Sequence, residues 1–131
     1  MEKHEKNQFN ELLRERTMKM AVDVRNLLAS VTVSPLDRSI VNQLIRSSSS
    51  VAANYRSATC ARSDAEFLSK TSIVLEETDE TKFWLEYLYR INVVKESDIS
   101  AIQCEVDELV RIFSSTRKRM KEKIESRRTC G

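Results

Sequence analysis

Two pairs of glutamates are the residues whose type and spacing come closest to a reactive site. Glu77 and Glu80 form one E-x-x-E pair, and Glu105 and Glu108 form another. This spacing puts both carboxylates of a pair on one side of a helix, and such oxygens hold Mg²⁺ in all-helical nucleotide pyrophosphohydrolases. If the helices that carry the two pairs are antiparallel and turn near Lys95, residues that face each other have numbers that sum to about 190. The first pair then lies ~7 Å along the helix axis from the position that would face the second pair. We therefore keep magnesium-dependent pyrophosphohydrolysis as a minor alternative.

Other groups that could do chemistry are few. His4 is the single histidine, and Cys60, Cys104 and Cys130 lack C-x-x-C spacing. A di-iron bundle needs Glu-x-x-His pairs, which are absent, and a chain whose only glycine is Gly131 has no phosphate-binding glycine loop. We predict no catalytic residue, no metal ligand and no cofactor, and we expect the thiols to be buried or in the tail.

Composition favours one helical domain. A chain of 131 residues is long enough for a single core, and it contains one glycine and one proline, whereas strand-rich folds need both at their turns. No apolar run approaches the ~20 residues that span a bilayer, and the polar start MEKHEKNQ contains no signal-peptide core. We expect a cytoplasmic protein that does not bind a membrane.

Apolar residues recur at helical spacing in four segments of this domain. Serines stand where helix N-caps are expected, at Ser34, Ser63 and Ser97. Pro35 follows the first of them at the first helical position, and Glu66 forms a capping box with Ser63. Short connections make neighbouring helices antiparallel, so the prediction is an all-α, up-down-up-down four-helix bundle over residues 1–131. The predicted helices span about residues 8–32, 35–60, 64–91 and 98–125, followed by a basic C-terminal tail.

Polar residues on the second and third predicted helices face each other. With a turn near residue 62, facing positions sum to about 124, which places Arg46 opposite Glu77 and within a turn of Glu80, and Asn54 opposite Lys70. A buried arginine between carboxylates forms charge-assisted hydrogen bonds, and losing one partner would cost roughly 3–5 kcal/mol if fully buried. We interpret these residues as a structural polar seam that specifies helix register. The small residues of the second helix let the two backbones approach closely.

Four aromatic residues crowd the end of the third predicted helix. Phe83, Trp84, Tyr87 and Tyr89 are spread too widely around the helix to share one core. Aromatic side chains are enriched at subunit contacts. We therefore predict that some of them form an oligomer contact.

Positive charge is concentrated in residues 111–131, which we call the basic segment. Eight basic residues against two acids give this segment about +6 and leave the remainder about −4. One interpretation is a solvated helix end whose cations interact favourably with the helix dipole. The other is a surface that contacts nucleic-acid phosphates. The basic residues are Arg111, Arg117, Lys118, Arg119, Lys121, Lys123, Arg127 and Arg128.

Three segments carry a resemblance to a known family. Residues 43–58 read Q-L-x-R-S-x-x-S-V-x-A-N-Y-x-x-A, residues 61–67 read A-R-S-x-x-E-F, and residues 76–85 read E-E-x-x-E-T-x-x-W-L. In order and spacing they resemble the bacterial four helix bundle protein family, also called the S23 or 23S rRNA intervening-sequence protein family. Many members have Asn-Ile-Ala-Glu-Gly where this chain has Asn-Tyr-Arg-Ser-Ala at residues 54–58.

The resemblance implies an antiparallel four-helix bundle that assembles as a homopentamer and has no assigned enzymatic activity. A related branch, the accessory variability proteins of diversity-generating retroelements, comprises basic pentameric barrels that bind nucleic acid and a reverse transcriptase. We therefore expect a non-enzymatic, homo-oligomeric assembly or interaction module. The alternative is a nucleic-acid-binding accessory protein that uses the basic segment on RNA or DNA, with a reverse transcriptase as a further partner.

Overall fold

The computed structural model describes residues 2–130 and places four helices in this part of the chain, with no strand. Helix α1 spans Lys3–Ala29, α2 spans Arg38–Thr59 after a short 3₁₀ helix at Pro35–Asp37, α3 spans Asp64–Arg90, and α4 spans Glu96–Cys130. Each helix packs on the next, α2 and α3 form the tightest pair, and α1 and α4 close the bundle most sparsely. The predicted all-α four-helix bundle is confirmed.

Two of the predicted serine caps are present, but Ser34 caps the short 3₁₀ helix, so α2 itself begins at Arg38 rather than at the predicted residue 35. The Ser34 hydroxyl accepts a hydrogen bond from the Leu36 amide, and the Ser63 hydroxyl accepts one from the Glu66 amide. The predicted Ser97 cap is wrong, because α4 already begins at Glu96. The Asp98 carboxylate instead accepts a hydrogen bond from the Lys95 amide at 3.1 Å, so the acid in the first turn satisfies the free amide.

Two predicted boundaries differ from the structure at the chain ends. Helix α1 begins at Lys3 rather than near residue 8, since a helix tolerates polar residues wherever they face solvent. The predicted C-terminal tail is helical to Cys130, because no glycine or proline interrupts α4. Residues 111–130 of the basic segment therefore belong to α4.

The core lies along the bundle axis, and its α2–α3 part is close-packed through small residues. Ser47, Ser48 and Thr81 are buried, and the Thr81 hydroxyl donates a hydrogen bond to the Ser47 hydroxyl at 3.0 Å. The predicted close approach of α2 and α3 is therefore confirmed. The largest fully buried side chains include Leu13, Met20, Leu44, Leu85, Leu88, Ile99, Leu109 and Phe113.

The structure also bears on the predictions made for the cysteines and for membrane-spanning segments. The expectation of buried or tail thiols is wrong for Cys60 and Cys104, which are both exposed, and the side chain of Cys130 lies outside what the structure describes. Within residues 2–130, no helix carries a stretch apolar and long enough to cross a bilayer.

Candidate interaction surfaces

Arg46 of α2 binds both members of the first glutamate pair on α3. Its guanidinium nitrogens lie 3.1 Å from a Glu77 carboxylate oxygen and 2.6 Å from a Glu80 oxygen. The predicted α2–α3 register is therefore correct. The predicted burial of the arginine is wrong, because the Arg46 side chain remains 48% exposed while that of Glu77 is 18% exposed. The long arginine side chain reaches its partners from the solvent side of the helix pair.

Arg16 of α1 binds the second glutamate pair on α4, an arrangement that the sequence analysis did not find. Its Nη2 lies 2.5 Å from Glu105 Oε1 and 3.2 Å from Glu108 Oε1, and its Nε donates to Glu105 Oε2 at 3.1 Å. The sequence contained a signal: Arg16 lies three residues after the core residue Leu13, so it sits beside the core stripe where a neighbouring helix passes. The turn near Lys95 relates the Glu105 pair to α3, but no turn gives the register between α1 and α4.

Both E-x-x-E pairs therefore act as partners of an arginine on another helix. A hydrogen bond from Arg46 holds the pKa of Glu80 below its ordinary value of 4.5, and the hydrogen bond to Glu105 raises the pKa of Arg16. Within residues 2–130, no three or more His, Cys, Asp or Glu side chains are grouped where they could hold a metal ion. This geometry stabilises helix packing through charge-assisted hydrogen bonds.

Asn54 and Lys70 are not brought together. The Asn54 amide donates to the Ser50 carbonyl at 2.9 Å and to the Ser50 hydroxyl at 2.8 Å, both on its own helix. A partner one helical turn away satisfies the amide without a contact across the helix pair. Of the predicted polar seam, the structure thus joins Arg46, Glu77 and Glu80.

Three of the four predicted contact aromatics form one cluster on α3. The rings of Phe83 and Trp84 are 4.8 Å apart, those of Trp84 and Tyr87 are 5.7 Å apart, and those of Phe83 and Tyr87 are 6.1 Å apart. Phe83 is 52% exposed. The Trp84 indole donates to Glu80 at 3.2 Å, which connects this aromatic cluster (Phe83, Trp84 and Tyr87) to Arg46. A hydrogen bond to Glu80 thus orients the Trp84 ring, on which the exposed rings of Phe83 and Tyr87 pack.

Tyr89 lies apart from the aromatic cluster. It borders a groove next to Gln103 and Asp107 of α4. Residues two apart on a helix point in directions about 160° apart, which explains why Tyr87 and Tyr89 belong to different surfaces. An adjoining groove of about 520 Å³, which shares Glu86 and Arg90 with the first, runs past Phe83 and Tyr87 as far as Ile91.

A second exposed apolar surface lies on α1. Leu12, Met18 and Val22 are 55%, 41% and 46% exposed, and they point away from the core side of the helix that carries Leu13 and Met20. We call these three residues the α1 apolar stripe. Helices α1 and α3 are diagonal in the bundle, and within residues 2–130 their backbones do not approach each other as those of neighbouring helices do. The stripe and the aromatic cluster therefore lie on opposite sides of the molecule.

The basic segment divides into engaged and exposed residues. Lys123 and Arg127 both bind Asp64 at the start of α3, and the Arg117 guanidinium donates to the Ser72 hydroxyl at 3.0 Å. The other five cations are exposed and form no ion pair within residues 2–130. These are Arg111, Lys118, Arg119, Lys121 and Arg128.

Comparisons with known proteins agree with this architecture. A family model described as 23S rRNA-intervening sequence protein matches residues 10–115. The chain is also similar to a solved structure of a protein with unknown function from the S23 ribosomal protein family of Bacteroides thetaiotaomicron, with 30% identity, a TM-score of 0.73 and coverage of 80% of this chain and 97% of that one. No curated protein matches the chain. The chain belongs to the 23S rRNA-intervening sequence protein family, also called the S23 family.

Proposed function

We propose that this protein is a non-enzymatic assembly module that associates with copies of itself through the aromatic cluster. The observation that carries the proposal is three mutually packed aromatic rings on the surface, with Phe83 about half exposed. Aromatic side chains in a well-packed patch supply most of the binding free energy at protein contacts. Both E-x-x-E pairs are engaged by arginines, which supports a structural role for them over a catalytic one.

The aromatic cluster is pre-organised for a contact. Arg46 fixes the Glu80 carboxylate, and that carboxylate accepts the indole hydrogen bond of Trp84. A side chain already held in its bound position loses less conformational entropy on association. The Arg46–Glu80 ion pair that orients Trp84 therefore contributes to assembly as well as to helix packing.

The second contact surface in this proposal is the α1 apolar stripe. Two different surfaces on opposite sides of a molecule join copies head to tail, and such heterologous contacts close into rings when the rotation between copies is suitable. The aromatic cluster of one copy would pack on Leu12, Met18 and Val22 of the next. The family resemblance leads us to expect five copies in the ring.

Three single substitutions test the contact by sedimentation velocity. Phe83→Glu places a charge in the aromatic cluster, and Met18→Glu places one in the α1 apolar stripe, so each variant should sediment as a monomer where the wild type is an oligomer. The matched control is Tyr89→Glu, an exposed aromatic outside both surfaces, which should keep the wild-type oligomer. An oligomer in the Phe83→Glu variant would contradict the proposal.

Mixing the two monomeric variants distinguishes the contact geometry. The Phe83→Glu chain keeps an intact α1 apolar stripe, and the Met18→Glu chain keeps an intact aromatic cluster, so an equimolar mixture should form a heterodimer that cannot close into a ring. If aromatic clusters instead pair with each other, the Met18→Glu variant would associate by itself. That result would refute the head-to-tail arrangement while retaining the aromatic contact.

A second candidate function is nucleic-acid binding through the basic segment, favoured by its five exposed cations. A ring would multiply this charge and attract RNA or DNA phosphates. Exchanging Lys118, Lys121 and Arg128 together for glutamate should abolish binding of a labelled oligonucleotide at about 50 mM salt. The control is Lys95→Glu, an exposed lysine between α3 and α4. A reverse transcriptase is a further candidate partner, and co-purification with the same variants would test it.

A further inference from the structure

A cleft opens between α1 and α4 at the end of the bundle that carries the basic segment. Phe113 is the last buried residue of α4 among the side chains that the structure describes, and beyond it the same face presents the partly exposed Thr116 and Met120 and the exposed Lys123. Helices α1 and α4 also make the sparsest contact of the bundle. The core therefore stops short of this end and leaves space between the two helices.

Two adjoining pockets make up the cleft, with volumes of about 340 and 230 Å³. Both are lined by Lys6 and Asn10 of α1, Phe67 of α3 and Met120 of α4. The larger pocket adds Phe9, Thr116, Arg119 and Lys123. Its volume is of the size that holds a small organic group.

The lining combines aromatic faces with positive charge from two helices. Phe9 and Phe67 are half-buried, so each keeps part of its ring toward the cleft. Lys6 and Arg119 are exposed at its rim and form no ion pair within residues 2–130. One acid, Asp64, lines the smaller pocket, and its carboxylate is bound by Lys123 and Arg127. An apolar ligand would gain nothing from these cations, whereas a planar anionic ligand would use both features.

We propose that this cleft binds one nucleotide of a single-stranded nucleic acid, with the base against Phe9 and Phe67 and the phosphate on Lys6 and Arg119. The proposal deepens the second candidate function and rests on it. Stacking of bases on aromatic side chains within a positively charged groove is the usual mode of single-strand recognition without sequence preference. A duplex keeps its bases stacked on each other, so its bases would not enter the cleft.

The test compares two fluorescent ten-nucleotide strands by anisotropy, one of uridines and one abasic with the same number of phosphates. If a base occupies the cleft, the uridine strand binds about tenfold more tightly than the abasic strand. Phe9→Leu and Phe67→Leu keep an apolar side chain but remove the ring, so each should reduce that ratio toward one. Tyr89→Leu, which removes an exposed ring outside the cleft, should leave the ratio unchanged.

The remaining outcomes separate the two proposals. Replacing Lys6 and Arg119 by glutamine should weaken both strands to the same extent, since phosphates are common to them. Equal affinity of the wild type for the two strands would overturn the cleft assignment and leave intact the proposal that the exposed cations of the basic segment bind phosphates. Absence of binding to either strand would overturn both, and equal affinity for the uridine strand and a duplex of equal length would overturn the single-strand assignment.

Discussion

The two ends of this bundle carry surfaces of opposite chemistry. At the end where α3 finishes, Phe83, Trp84 and Tyr87 pack on one another and leave apolar area exposed. At the opposite end, where α4 finishes, charged side chains extend from a helix that continues to Cys130. An apolar surface gains free energy by leaving water, whereas exposed cations gain it by replacing the counterions of an anionic partner. From this difference we propose self-association at the first end and binding of an anionic partner at the second.

The surfaces also differ in how rigidly they are held. Arg46, Glu80 and Trp84 form a connected set of hydrogen bonds below the aromatic cluster. At the basic end, Lys118 and Lys121 are exposed and form no ion pair within residues 2–130, and a lysine side chain can rotate about several bonds. A rigid surface suits one partner geometry, whereas mobile cations suit a partner with a regular backbone charge.

The largest expected effect is on self-association. Phe83→Glu should raise the dissociation constant on the order of a thousandfold, because it removes an anchoring ring and buries a charge at the contact. Lys121→Glu at the basic end should leave this constant nearly unchanged. Sedimentation velocity across a concentration series measures both. Equal weakening by the two substitutions would show that assembly does not depend on the aromatic end.

The next largest effect is expected on oligonucleotide binding when the salt concentration is raised. If five exposed cations contact phosphates, raising salt from 50 to 200 mM should weaken oligonucleotide binding about a hundredfold. Self-association should change little, since burial of apolar area does not depend on charge screening. Anisotropy and light scattering on the same samples compare the two responses. A steep salt dependence of assembly would mean that the oligomer contact is electrostatic.

A smaller effect is expected on the free energy of unfolding when Arg16 or Arg46 is replaced. Arg16→Met should lower the free energy of unfolding by about 1–2 kcal/mol and Arg46→Met by about 1 kcal/mol, because Arg46 is the more exposed of the two. Only Arg46→Met should also weaken self-association, since only Arg46 supports Trp84 through Glu80. Urea titration gives the first quantity and sedimentation the second. If the two variants weakened self-association equally, the proposed support of the aromatic cluster by Arg46 would be contradicted.

The smallest expected effect is the loss of folding stability at acidic pH. The hydrogen bond from Arg46 lowers the pKa of Glu80 in the folded state, so this contribution to stability is present above about pH 4.5 and is lost as the pH falls through the lower folded-state pKa. We expect a loss of about 0.5 kcal/mol, because the pair is partly exposed. Urea titrations at pH 7 and pH 3.5 measure it, and Glu80→Gln should reduce the pH dependence. An unchanged pH dependence in that variant would assign it to other carboxylates.

The α2–α3 arrangement was predictable because a short turn fixes the register of the two helices it joins. Arg46 consequently lies where the antiparallel alignment placed it, within reach of Glu77 and Glu80. The Arg16 contact with Glu105 was not predictable in the same way. It joins the first helix to the last, and no turn relates their positions.

The predictions that failed in the polar seam did so because the length of a polar side chain lets it choose among several partners. Helix geometry gives the direction of a side chain but not its choice between nearby partners, and Asn54 binds Ser50 on its own helix rather than Lys70. The extent of exposure was also missed for Arg46, because its long side chain leaves the core before it reaches the carboxylates. The division of the aromatic residues into a cluster and the separate Tyr89 could have been found from their angles around α3.

The most direct test of the central proposal is the mass of the wild-type protein in solution. Sedimentation equilibrium from about 1 to 100 μM covers the range in which an assembly module should be associated. The proposal predicts an oligomer of 15.2 kDa chains, with five copies expected from the family resemblance, and its dissociation to monomers by Phe83→Glu. A wild-type protein that remains a monomer throughout this range would contradict it.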